Sequence, residues 1–164
     1  MELAEKLEES FVAYLKTLEW PASLLEDPDD ASTLRIFPGE NSDDKTGQCI
    51  VCVAEDSPTE EPENSGNCRF GFRCEVRTPI GVPFTTDDHK AVADALENAI
   101  MAEGLADLVN TAAYAKAVAE PADFSDLDNF CLYPVISRTP IREQQDELHI
   151  SGRALSCYCM GIKG

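Results

Sequence analysis

Two short stretches place cysteines close enough together to suggest chemistry. "GQCIVCVAED", positions 47 to 56, holds Cys49-x-x-Cys52, and "SCYCM" holds Cys157 and Cys159. A zinc site needs thiolates that converge, which structural sites achieve with a tight turn between the ligands. The spacer Ile50-Val51 consists instead of two strong strand formers. Residues three apart in an extended chain point to opposite faces, so the spacing predicts that Cys49 and Cys52 diverge and hold no metal. Cys157 and Cys159 share a face, as do Cys68 and Cys74, but neither pair has a His or Gly immediately adjacent to a cysteine. A redox dithiol normally sits at a helix N-terminus, where the dipole lowers the thiol pKa, and this one lies mid-strand. The cysteines therefore read as core residues, the alternative being a metal site assembled from Cys49 or Cys52 with the C-terminal pair.

Other candidates are weaker. His89 and His149 have no Ser or Cys in a recognisable nucleophile context, and read as surface or satisfied side chains. "DFSDLDN" offers Asp123, Asp126 and Asp128 without the Gly and terminal Glu of a calcium loop. A phosphate loop, a dinucleotide Gly motif and a nucleophile elbow are all missing, so the expectation is a protein that is not an enzyme and takes no cofactor. One pattern is unusual against its background: in "CRFGFRCEVRT", Arg69, Arg73 and Arg77 share one strand face, with Glu75 between them, while Phe70, Phe72, Cys74 and Val76 share the other. This row is either a solvated face neutralised by local acids or a subunit interface pairing with a neighbour's carboxylates.

The elements that position these residues follow from periodicity. Leu3, Leu7, Phe11, Leu15 and Leu18 recur at helical spacing up to Pro21. "TLRIF" and "QCIVCVA" read as strands separated by a polar loop, the second apolar enough to be covered on both faces. Residues 55–67 contain five acids, two prolines and no large apolar side chain, which predicts a long mobile hairpin tip. Thr85-x-x-Asp88 caps a long central helix that carries Val92, Leu96, Ala99 and Ile100 on one face, with Gly104 as its end or bend. "NFCLYPVISRT" and "LHISGRALSCYCM" are the closing strands, around a polar connection "PIREQQDE". Blocks of adjacent strands predict one α+β domain over residues 1–164, with a mainly antiparallel sheet packed with the N-terminal helix and the long central helix.

The chain of 164 residues has 31 acidic and 13 basic side chains, a formal charge of −18. That argues against nucleic-acid binding by phosphate neutralisation. It leaves two readings: solubility, or a wall past which DNA slides without sticking. Seven cysteines without regular spacing suit reduced thiols in a cytosol, and no run of about 18 apolar residues suggests a membrane span.

The layout of the leading helix Leu3–Leu18, "TLRIF" and "QCIVCVA" with the acidic tip, "RFGFRCEVRT", the long helix from Asp87 and the closing "HISGRALSCYCM" resembles that of the tail-terminator (tail completion) proteins of long-tailed bacteriophages. More loosely it is similar to the head–tail joining proteins. The resemblance implies a structural virion protein without catalytic activity, forming a ring, typically hexameric, on the tail tube. Its partners would be copies of itself, the tail tube protein and a head-completion or connector protein. DNA would pass without specific binding, there would be no membrane, and assembly would take place in the host cytoplasm. The alternative is a cytosolic α+β module that binds a ligand or peptide, as a monomer or a dimer.

Overall fold

A computed structural model describes residues 3–40, 46–54, 59–60, 67–81, 83–121, 131–145 and 147–160. The elements are α1 (Leu3–Lys16), β1 (Ile36–Pro38), β2 (Cys49–Ala54), β3 (Thr59–Glu60), β4 (Asn67–Pro79), α2 (Thr86–Ile100), α3 (Leu105–Ala119), β5 (Cys131–Gln145) and β6 (Leu148–Met160). One sheet runs in the order β1-β2-β4-β6-β5, with β3 paired to β4 beyond the end of β2. Among the described residues, β1 and β2 pair in parallel and the other strand pairs are antiparallel, so the chain is α+β.

The helices lie on one face of this sheet. Leu7, Phe11 and Leu15 of α1 and Val92, Leu96, Ala99 and Ile100 of α2 are buried against Ile50, Cys52, Phe70, Phe72, Cys74 and Val76. The rings of Phe11 and Phe72 stack with centroids 4.4 Å apart. Residues directly opposite in an antiparallel pair share a face. The pairs Phe72↔Leu155 and Phe70↔Cys157 thus carry the same core across to β6.

Two expectations need revision. The long central helix is two helices: α2 ends at Ile100 with Met101 as its cap, and Gly104, expected to end or bend it, takes the left-handed conformation at φ 72 that turns the chain into α3. The start of α2 is as the sequence indicates: the Asp88 amide donates to the Thr85 hydroxyl at 3.1 Å, and the Thr85 amide donates back to the Asp88 carboxylate at 2.9 Å. The polar connection expected at 140–147 is largely strand, since β5 continues to Gln145 and pairs with Leu148 of β6. Polar composition misled there because β5 is the outer strand, where polar side chains face water and Pro140 is tolerated.

The Thr59–Glu60 backbone pairs with Cys68 and Arg69, so part of the acidic 55–67 stretch is ladder. Residues 55–58 and 61–66, on which the expectation of a mobile tip mainly falls, lie outside the described residues, as do Asp123, Asp126 and Asp128. Among the described residues, no helix is long and apolar enough to cross a membrane.

Candidate functional site

The arginine row occupies the face of β4 away from the three described α-helices. Its backbone partners there are Tyr158 for Arg69, Ala154 for Arg73, Gly152 for Glu75 and Ile150 for Arg77. A Cβ at position 152 would lie 2.1 Å from the Cys74 carbonyl oxygen and 2.6 Å from the Glu75 Cα, so only glycine lets β6 approach β4 this closely. The three arginines meet different environments. Arg77 has a side chain only 9% exposed, and donates to Glu75 at 2.7 Å and to Glu40 at 2.7 Å. Arg73, 44% exposed, donates to Glu40 at 2.8 Å and to Glu75 at 3.2 Å. Arg69 is exposed and donates to the Ser156 hydroxyl at 3.1 Å.

The electrostatics follow from this geometry. Burial disfavours the Arg77 charge, but the hydrogen bonds to Glu40 and Glu75 outweigh it and hold the guanidinium pKa above its ordinary value. The bond from Arg77 holds the Glu40 carboxyl below its usual range against the opposing effect of partial burial. Glu75 was legible from its place two residues from both Arg73 and Arg77. Glu40 was not: it arrives from the end of β1, past Gly39 at φ 71, whose amide donates to the Cys52 carbonyl at 2.8 Å. Beside Arg73 lies a depression of about 530 Å³ bordered by Glu40, Val53, Gly71 and Ala154.

Cys49 and Cys52 lie on opposite faces of β2, opposite Arg77 and Cys74 respectively. Cys52 belongs to the core beneath the helices, whereas Cys49 is buried on the other side. The Cys52 and Cys74 sulfurs are 3.6 Å apart; burial and the Cys74 contact push the Cys52 thiol well above its ordinary pKa, which makes it a poor nucleophile. Among the described residues, no three His, Cys, Asp or Glu side chains are placed to hold a metal ion.

The histidines, unremarkable in sequence, come together with ring centroids 5.6 Å apart. His89 in the first turn of α2 sits between two hydroxyls: Nδ1 is 2.6 Å from Thr78 Oγ1 and Nε2 is 2.8 Å from Ser151 Oγ. Thr78 receives a hydrogen bond from Gln48 Nε2 at 2.8 Å, and Gln48 Oε1 receives one from Ser23 at 2.7 Å. A relay of imidazole and hydroxyl could move protons, but acyl transfer also needs amides aimed at an oxyanion. The β6 backbone around Ser151 is paired to Val76 on one side and Arg142 on the other. The network therefore fastens α2 to the sheet. Nearby, Arg153 clamps Glu97 of α2, with Nε 3.1 Å from the carboxylate.

No protein-family model matches the chain, and no curated protein sequence matches it.

Proposed function

We propose that the chain is a structural virion protein, a tail terminator that assembles as a six-membered ring on the end of a phage tail tube, stops its growth and docks it to the head. The observation that carries this reading is the one-sided fold. All three described α-helices cover one face of the sheet, and the other face brings Arg69 and Arg73 to the surface of a chain whose net charge is −18. Arginines at the surface of an acidic subunit can extend their pairing to carboxylates of the next copy, as a head-to-tail ring contact requires. Arg77, with Glu75 behind it, supports the strip from within the subunit. Six copies carry 6 × (−18) = −108, a wall that repels DNA in transit. The protein is assembled in the host cytoplasm and resides in the virion tail.

The test is Arg69→Glu with Arg73→Glu, sparing Arg77, whose loss would strand the buried Glu75 at a cost of about 3–5 kcal/mol. Arg77 still pairs both Glu75 and Glu40 in the double variant, and its folded state is verified by far-UV circular dichroism before capping is measured. In a desolvated contact, each lost partner costs about 2–5 kcal/mol, repeated around the ring, so capping of growing tail tubes is abolished. Wild-type capping by the folded double variant would remove the strip from the interface. Failure of the wild-type chain to cap tubes at all would leave the binding-module reading in its place.

A further inference from the structure

Two of the buried thiols touch: the Cys52 and Cys74 sulfurs, both in the core beneath the helices, are direct partners of the antiparallel β2–β4 ladder and lie 22 positions apart in sequence. Their register decides how closely they stand. The Gly39 amide donates to the Cys52 carbonyl at 2.8 Å and the Ile50 amide to the Arg35 carbonyl at 2.9 Å, so these alternate residues of β2 direct their backbone towards β1. Cys52 and Cys74 are therefore a non-hydrogen-bonded pair, with Cα atoms about 4.5 Å apart and the side chains drawn together. A disulfide needs Cα atoms about 4.4–6.8 Å apart and Cβ atoms about 3.5–4.5 Å apart, which this register meets. Other thiols are placed less well. Cys49 lies on the opposite face of β2. Cys68 is the direct partner of Cys159, but by the same alternation β4 directs the backbone of Cys74 and of Cys68 towards β6. That makes Cys68 and Cys159 a hydrogen-bonded pair, about 5.5 Å between Cα atoms, with the side chains farther apart.

We infer that Cys52 and Cys74 form an oxidation site, where a low-molecular-weight disulfide is reduced to two thiols while a cross-strand disulfide staples β2 to β4. The thiolate of one cysteine attacks a sulfur of the small disulfide, whose S–S bond breaks; one small thiolate leaves and takes up a proton, and a mixed disulfide remains. The second cysteine, losing its proton, attacks the protein sulfur of that mixed disulfide. The Cys52–Cys74 bond forms and the second small thiol departs. Burial keeps the resting pair as thiols and out of reach, so attack follows a local opening of β2, whose outer neighbour β1 is a strand of three residues. Once the strands close around it, the bond lies in the core and is shielded from reduction. Thiols thus suit a reducing compartment and the staple an oxidising one. The site is separate from the arginine strip and does not rest on the tail reading.

The test incubates the full chain under native conditions with oxidised glutathione, alkylates the remaining thiols in denaturant and maps the bonds by peptide mass. Two of the seven thiols are expected to be lost, joined as Cys52–Cys74, and lost faster in urea below the unfolding midpoint, where β2 opens more often. The oxidised chain unfolds at a higher urea concentration than the reduced one, because the bond restricts the unfolded chain. In fully denaturing urea the same reagent favours neighbours in sequence instead, Cys49 with Cys52. Cys49→Ala keeps the native product, while Cys52→Ala and, independently, Cys74→Ala lose it with unchanged far-UV circular dichroism. Seven thiols remaining in the native wild type overturn the inference. So does a native product dominated by Cys68–Cys159 or Cys49–Cys52, or an oxidised chain no more stable than the reduced one.

Discussion

His89 holds its ring between the Thr78 and Ser151 hydroxyls, either of which can accept from or donate to an imidazole nitrogen, so these bonds do not by themselves set its charge. Burial, and then the neighbouring His149, hold the His89 pKa below its ordinary value of 6.5. The sign of the stability effect follows. Below about pH 6.5 the unfolded chain takes up a proton that the folded one refuses, so stability falls as pH drops from there to the folded pKa and the contribution levels off beneath it. The urea midpoint of the wild type is expected to fall between about pH 7.5 and about pH 5.5 by more than that of His89→Gln, which has no such group. Equal drops in the two proteins would show that other groups set the acid response.

Among the elements, the β4–β6 pair is the spine of the fold, with thirteen residues in register from Asn67↔Met160 to Pro79↔Leu148. Its tightest point is Gly152. An added methyl there would meet backbone, the Cys74 carbonyl and the Glu75 Cα, and backbone within a two-sided ladder cannot step aside as a side-chain tip can. Gly152→Ala is expected to cost at least about 3 kcal/mol, the upper end of the usual overpacking penalty, measured by denaturant unfolding. The same change would push Glu75 away from Arg73 and Arg77, so the arginine strip depends on one glycine of the neighbouring strand. A variant as stable as the wild type would mean that the two strands can separate without loss.

At the scale of the whole molecule, every association has to overcome the repulsion between copies at −18 each. Two kinds of contact respond to salt in opposite ways. The Debye length falls from about 30 Å at 0.01 M to about 3 Å at 1 M, so salt screens the general repulsion while leaving apolar burial intact. An association held by apolar burial is therefore expected to strengthen with ionic strength, read as the native mass of the isolated chain. Pairing of the exposed Arg69 and Arg73 with a neighbour's carboxylates weakens with salt at any contact that remains wet. Association of the isolated chain that dissolves on raising the salt would assign it to the arginine strip instead of to apolar burial.

Periodicity alone was enough for the faces of the elements: Leu7, Phe11 and Leu15 on α1, Val92, Leu96 and Ile100 on α2, and the alternation of Phe70, Phe72, Cys74 and Val76 with Arg69, Arg73 and Arg77 on β4. These depend on the repeats of 3.6 and 2 residues, which are properties of neighbouring positions. The Thr85–Asp88 cap and the divergence of Cys49 and Cys52 are local in the same sense. Separation along the chain hid the rest. The arginine row was legible, but whether each member meets water or carboxylate was decided by Glu40, 33 residues from Arg73, and by the close passage of Gly152. The histidine network joins residues 62 apart, and β5 runs through polar sequence because β6 supplies a ladder for it. Such pairings depend on which strand lies beside which and in what register, and a register set by burial on one face assigns every distant partner on the other.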